Sequence, residues 1–284
     1  MNMKIINHVL YSGTAVPVVL IHAFPVDHRM WLTCARHLTQ QAEEAGLESF
    51  SVYAPDMPGA GLSPVPSLQD SGARDADGAY YQALDLLAES YVDILSALGH
   101  QKAIWVGLSM GGYVTAAIQR LHPECVAGLA FCDTNVVADT PDSKVNRMRV
   151  AQLCEQEDSV REVMSFAQPT EHDSTIKRSS EFVAMFSAWI KDQNPAGIAW
   201  RERMAAGRPD QSEILPEVTA PVAVISGELD PSSPPERMAS LVQGLTATER
   251  MFTTIANCGH FSAVEHPDTV ARALVELVQR VQES

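Results

Sequence analysis

Short apolar runs alternate along the chain with longer stretches of helical periodicity. The runs at residues 18–22, 50–54, 103–107, 126–133, 221–227 and 250–255 are rich in Val, Ile, Leu and Ala and lack strict polar–apolar alternation. That pattern predicts strands covered on both faces. Helical patterning occupies 30–45, 80–98, 111–121, 235–244 and 267–281. The alternation predicts an α/β fold, with a mostly parallel central sheet and helices on both faces. Between 135 and 215 no strand-like run occurs. Met148, Leu153, Met164, Phe182, Phe186, Trp189 and Trp200 instead recur at helical spacing. This predicts a helical cap at residues 135–215, inserted into a core domain made of residues 1–134 and 216–284. Residues 63–79, rich in Pro, Ser, Asp and Gly, read as a surface loop with the composition of a mobile one.

Six residues sharpen this picture. Gly107-Leu108-Ser109-Met110-Gly111-Gly112 lies between an apolar run and a helical stretch. A G-x-S-x-G sequence at a strand–turn–helix junction places its serine on a tight bend with the hydroxyl exposed, so Ser109 is a candidate nucleophile. A serine hydroxyl is weakly nucleophilic near neutral pH and needs a histidine base oriented by a carboxylate. Downstream and in that order, Asp230 follows the strand at 221–227 and His260 follows the strand at 250–255. Glu228 and Asp133 are fallback acids. Backbone N–H groups that stabilise the developing oxyanion are expected from Met110, directly after the serine, and from the loop His22-Ala23-Phe24-Pro25. Pro25 has no N–H, which leaves Phe24 as the second donor. The residues expected in the substrate pocket are His22, Phe186, Trp189 and Phe261.

Composition narrows the field. The 284 residues carry 35 acidic and 20 basic side chains, a formal net charge of −15, which argues against nucleic acid and anionic membrane surfaces as partners. The five cysteines are widely spaced without a C-x-x-C, a pattern of free thiols in a reducing compartment. No signal-type apolar core or 20-residue apolar span is present, so a soluble, cytoplasmic protein is expected. No H-E-x-x-H or similar spacing calls for a metal. The oligomeric state is left open.

These pieces together resemble a serine hydrolase of the α/β-hydrolase fold superfamily. The resemblance rests on His22-Ala23-Phe24-Pro25, Asp56-Met57-Pro58-Gly59-Ala60-Gly61-Leu62-Ser63, Gly107 to Gly112, Gly227 to Asp230 and Gly259-His260. Serine at 109 separates the chain from dehalogenases and epoxide hydrolases of that fold, which would need Asp there. Gly-Leu-Ser-Met-Gly-Gly, with Cys132-Asp133-Thr134 and Ala138-Asp139-Thr140-Pro141, is similar to the carboxylesterase and 3-oxoadipate enol-lactonase branch. The resemblance implies cleavage of a small-molecule ester or lactone through an acyl-enzyme, with no cofactor. Enol-lactonase or perhydrolase activity is the narrower alternative, and a non-catalytic small-molecule-binding protein the alternative of another class. An enol-lactonase must accommodate a carboxylate. The insertion offers Arg147, Arg149, Arg161, Lys177, Arg178, Arg201 and Arg203 for it. The superfamily usually has glycine where this chain has Ala23, and a side chain there disfavours positive φ.

Overall fold

The computed structural model describes residues 3–284. The apolar runs form six strands of one seven-stranded sheet with strand order β1-β3-β2-β4-β5-β6-β7. The strands are β1 (Asn7–Tyr11), β2 (Ala15–Ile21), β3 (Phe50–Pro55), β4 (Ala103–Leu108), β5 (Val126–Cys132), β6 (Val222–Gly227) and β7 (Arg250–Ile255). Every pairing is parallel except that of β1 with β3. Strands β3, β4 and β6 are buried at every position, as expected of strands with helices on both sides. The outermost β7 instead alternates between exposed and half-buried residues up to Thr254 and ends on buried Ile255.

Strand β1 has no counterpart in the sequence reading. Its residues Asn7-His8-Val9-Leu10-Tyr11 form no apolar run because the strand lies at the sheet edge and none of its residues is fully buried. What holds it is the antiparallel ladder to β3, a long-range pairing that local pattern does not encode.

The helices are α1 (Leu32–Glu44), α2 (Ala83–Ala97), α3 (Met110–Leu121), α4 (Pro141–Glu157), α5 (Ser180–Lys191), α6 (Pro195–Gly207), α7 (Pro235–Gly244), α8 (Ser262–Glu265) and α9 (Pro267–Glu283). Helix α1 packs on α9 and α2 packs on α3, forming two helical layers against the sheet. Between β5 and β6 the chain is helical throughout its regular elements, with α4, α5 and α6 joined by 3₁₀ turns. Their starts are locally encoded. Thr140, Ser179 and Asn194 each accept a hydrogen bond from a first-turn N–H, and Pro141 and Pro195 occupy the first helical position.

Residues 63–79 form no helix or strand, but the loop is tied down rather than loose. The buried Ser71 hydroxyl accepts the Trp200 indole N–H at 2.8 Å, and Lys144 bonds Asp75 at 2.9 Å. All five cysteines are free thiols. Among the described residues no helix is long and apolar enough to cross a membrane.

Candidate active site

After β2 the chain adds β3 on one side and then crosses to place β4 on the other. The loops leaving β2 and β4 therefore diverge and open a crevice at the carboxyl ends of these strands, where open α/β sheets bind ligands. Ser109 ends β4 on one side of it and Phe24 follows β2 on the other.

Ser109 has φ 53° and ψ −113°, a left-handed conformation uncommon for a residue with a side chain. Its neighbours permit the bend. A Cβ on Gly107 would lie 2.2 Å from the Gly111 carbonyl oxygen, and one on Gly111 would lie 2.2 Å from the Ile21 carbonyl oxygen. Strand, turn and helix can approach this closely only with glycine at both positions. The Ser109 N–H donates to the Cys132 carbonyl at 2.9 Å, and the Thr134 hydroxyl donates to the Ser109 carbonyl at 2.6 Å, so β5 holds the bend from outside.

His260 and Asp230 meet this serine. His260 Nε2 lies 2.9 Å from Ser109 Oγ, and His260 Nδ1 lies 2.8 Å from Asp230 Oδ2. With Asp230 ionised, Nδ1 carries the proton and donates to it, leaving Nε2 to accept the serine hydroxyl. Burial acts to lower the His260 pKa, but the Asp230 charge and hydrogen bond, with the Asp133 charge, raise it above the ordinary histidine value. Burial acts to raise the Asp230 pKa. The His260 charge and hydrogen bond reverse this, helped by the Ser232 and Ser233 N–H groups, and hold Asp230 below the ordinary carboxyl value.

The two fallback acids lie elsewhere. Glu228 is exposed and accepts the Asn257 N–H. Asp133 is fully buried, and its carboxylate accepts the N–H groups of Gly227 at 2.8 Å and Ser262 at 3.2 Å. It thus ties the end of β6 to the turn after His260. Burial and the charge of Asp230 push its pKa up to about 7.

The loop after β2 is held from two directions. Fully buried His22 accepts the Met57 N–H at Nε2 (2.8 Å) and donates from Nδ1 to the Ala23 carbonyl (2.9 Å). Burial lowers its pKa to about 4, which keeps it neutral. From α6, buried Arg201 donates to the Val26 carbonyl at 2.9 Å and to Gln193 at 3.0 Å. Ala23 keeps a negative φ, so the alanine is accommodated without the strain its Cβ would cause at positive φ. Among the described residues neither the Phe24 nor the Met110 N–H has an intramolecular partner, and both residues line the cavity beside Ser109.

That cavity measures about 240 Å³ and differs from the expected apolar pocket. Its walls include Ser109, His260, Tyr113, Asn135, Asp139, Phe166 and three arginines, Arg147, Arg208 and Arg237. His22, Phe186, Trp189 and Phe261 do not line it. His22 is consumed by the loop contacts just described. Phe261 and Phe186 pack on each other at 4.4 Å, and Phe261 meets the edge of the cavity-lining Phe166. Trp189 packs on Phe186 and under the Arg29 guanidinium. Phe24, Tyr113 and Phe166 line the cavity alongside its polar groups, while Phe186 and Phe261 do not.

Of the seven cations that the sequence singled out between 135 and 215, Arg147 alone reaches the cavity, joined there by Arg208 from the same segment. Arg149 pairs with Glu162, Arg161 with Glu157, Lys177 with Asp173 and Arg203 with Glu155, while Arg201 is enclosed and Arg178 lies off the cavity. Arg208 and Arg237 carried no sequence signal, since both sit on polar stretches indistinguishable from solvated surface.

One further cluster gathers donors close enough to surround an ion, namely His8, His28 and Asp56. His8 Nε2 and His28 Nδ1 bond different oxygens of Asp56 at 2.8 and 2.9 Å. The two imidazoles stack at 3.5 Å and within 17° of parallel, so their in-plane lone pairs run side by side instead of converging on one point. As arranged, the cluster is a hydrogen-bonded clasp between β1, the β2 loop and the end of β3.

A sequence model of the alpha/beta hydrolase family matches residues 18–273. The pimeloyl-[acyl-carrier protein] methyl ester esterase of Vibrio atlanticus is 25% identical over 95% of this chain and 96% of its own. A thermophilic esterase from Thermogutta terrifontis, solved with malate bound, superposes with a TM-score of 0.81 at 28% identity, covering 99% of this chain and 94% of that one. The enol-lactonase of Burkholderia xenovorans LB400 superposes at 0.76 with 20% identity over 98% and 97%, a likeness of fold.

Proposed function

The chain belongs to the alpha/beta hydrolase family, and we propose that it is a serine hydrolase that cleaves a small carboxylic ester or lactone. The observation that carries this reading is the continuous chain from Ser109 Oγ through His260 to Asp230, at 2.9 and 2.8 Å. His260 Nε2 takes the Ser109 proton as Oγ attacks the carbonyl. The oxyanion is met by the N–H groups of Met110 and Phe24. Collapse of the tetrahedral intermediate expels the alcohol, which receives its proton from His260 and leaves an acyl-enzyme on Ser109. Water, deprotonated by His260, then releases the acid. Asp230 keeps Nδ1 protonated and stabilises the imidazolium. We further read residues 135–215 as a cap whose Arg147 and Phe166 help enclose the reacting carbonyl.

A fluorophosphonate is expected to label the native protein once per chain, with short-chain p-nitrophenyl esters turned over. A folded protein that resists the fluorophosphonate would have no activated serine. A non-catalytic binding protein would then be the better account.

The pH dependence has a definite sign. Neutral His260 is the active base, so kcat/KM falls as pH drops through its pKa, which lies above the ordinary histidine value. The negative charge of Asp133 favours the imidazolium and raises that pKa. Asp133→Asn is therefore expected to move the acid limb of kcat/KM to lower pH. Stability should fall by about 1–3 kcal/mol, because one of two backbone donors loses its acceptor. A limb that stays in place, or moves up, would count against this coupling.

A further inference from the structure

The cavity beside Ser109 carries positive charge inside a strongly acidic protein. Three guanidiniums and one carboxylate line it, whereas the whole chain has a formal net charge of −15. The three arginines are not equivalent. Asp139 accepts from Arg147 at one oxygen and from Arg208 at the other (2.7 Å), and Arg147 also pairs with Glu202 at 2.8 Å. These two cations and two carboxylates form a closed, neutral chain. Arg208 is further committed to the Val137 and Ala205 carbonyls and stacks 4.0 Å over the Tyr113 ring.

Arg237 stands outside that chain. Among the described residues it forms no ion pair, and the hydrogen bond it makes is to the neutral Ser232 carbonyl at 3.0 Å. It projects from the first turn of α7, just after the loop that carries Asp230. It lines both the cavity at Ser109 and an adjoining cavity of about 430 Å³, which shares Asn135, Asp139, Ser143 and Arg208 with the first. An unpaired guanidinium on the lining shared by the two cavities supplies a net positive charge to the cavity that holds Ser109. Arg237 is itself exposed, so water screens part of that charge, yet the guanidinium lines the same cavity as Ser109 and is available to an anion bound there. The planar guanidinium also matches a carboxylate in two-pronged hydrogen bonding.

Resting on the serine hydrolase reading, we propose that the substrate carries a carboxylate of its own, bound by Arg237, so that the site prefers half-esters of dicarboxylic acids to neutral esters. Hydrolysis adds water across the ester, releasing an alcohol and the second carboxylate, and the first carboxylate stays on Arg237 throughout.

The test compares monomethyl glutarate with the isosteric neutral methyl ester of glutaramic acid, measuring methanol release by wild type, Arg237→Gln and Arg237→Lys. Wild type is expected to favour the anionic ester by about three- to tenfold in kcat/KM, roughly what one charge-assisted contact contributes where solvent screens part of it. In Arg237→Gln that ratio should collapse towards one through a rise in KM for the anionic ester. Arg237→Lys should recover part of it, because lysine restores the charge without the fork. A wild type without the preference, or an Arg237→Gln protein that keeps it, overturns the proposal. If such a wild type still reacts with the fluorophosphonate, the hydrolase reading stands. A folded wild type that does not react overturns both.

Discussion

Ser109→Ala is expected to lower kcat for ester hydrolysis by about 10⁴- to 10⁶-fold, the range seen when a triad nucleophile is removed. Fluorophosphonate labelling should vanish with it. The size follows from what is lost: without Oγ no acyl-enzyme forms, and water must attack directly, aided only by the backbone donors and binding. The folded state should be little changed, since alanine inherits the same φ of 53° and removes only the contact with His260. A glycine at this position separates chemistry from strain. Relief of the left-handed backbone is worth about 1–3 kcal/mol and the added chain entropy costs about 0.5–1. Ser109→Gly should therefore be equally inactive yet melt slightly higher than wild type. Ester turnover surviving in purified Ser109→Ala protein would remove Ser109 from the mechanism.

Gly197→Ala should cost about 2 kcal/mol, although alanine is normally the better helix former. In an exposed helix the exchange stabilises by about 1 kcal/mol. Here Gly197 lies in α6, and a Cβ on it would sit 1.9 Å from the Gly59 carbonyl oxygen in the loop after β3. Both partners are backbone, so no side chain can swing aside. Overpacking of this kind costs about 1–3 kcal/mol or more, which outweighs the helical gain. A fall in Tm of roughly 4 °C is expected for a domain of this size. The effect should reach the active site as well. Helix α6 also carries Arg201, whose bond to the Val26 carbonyl steadies the loop bearing Phe24, so kcat should fall more than KM changes. A variant that melts at or above the wild-type temperature would show that α6 and this loop do not touch backbone to backbone.

The site was legible where its chemistry is written in neighbouring residues. Gly107, Ser109 and Gly111 are legible because a tight strand–helix bend admits little else. Asp230 and His260 are legible because a side chain just past a parallel strand is delivered to the same end of the sheet as every other such residue. The choice of Asp230 over Asp133 was not written locally, since both follow strands. In the fold Asp230 bonds His260, whereas Asp133 is turned inward to the N–H groups of Gly227 and Ser262. The lining of the cavity beside Ser109 differs from the expected pocket for a related reason. Phe186, Trp189 and Phe261 are large and apolar, and nothing in their spacing tells whether they face a cavity or back its wall.

By itself the sequence determined the parallel sheet, the helical stretch between β5 and β6, and the chain order of Ser109, Asp230 and His260. These rest on hydrophobic periodicity, glycine geometry and chain order, which act over a few residues or follow from connectivity. Only the tertiary structure decided that β1 joins the edge, that Arg201 serves the fold, and that Arg147, Arg208 and Arg237 come together beside Ser109. Each depends on residues far apart in the chain meeting at one point. The charge left at that point is a sum over all of them, and no local pattern contains it.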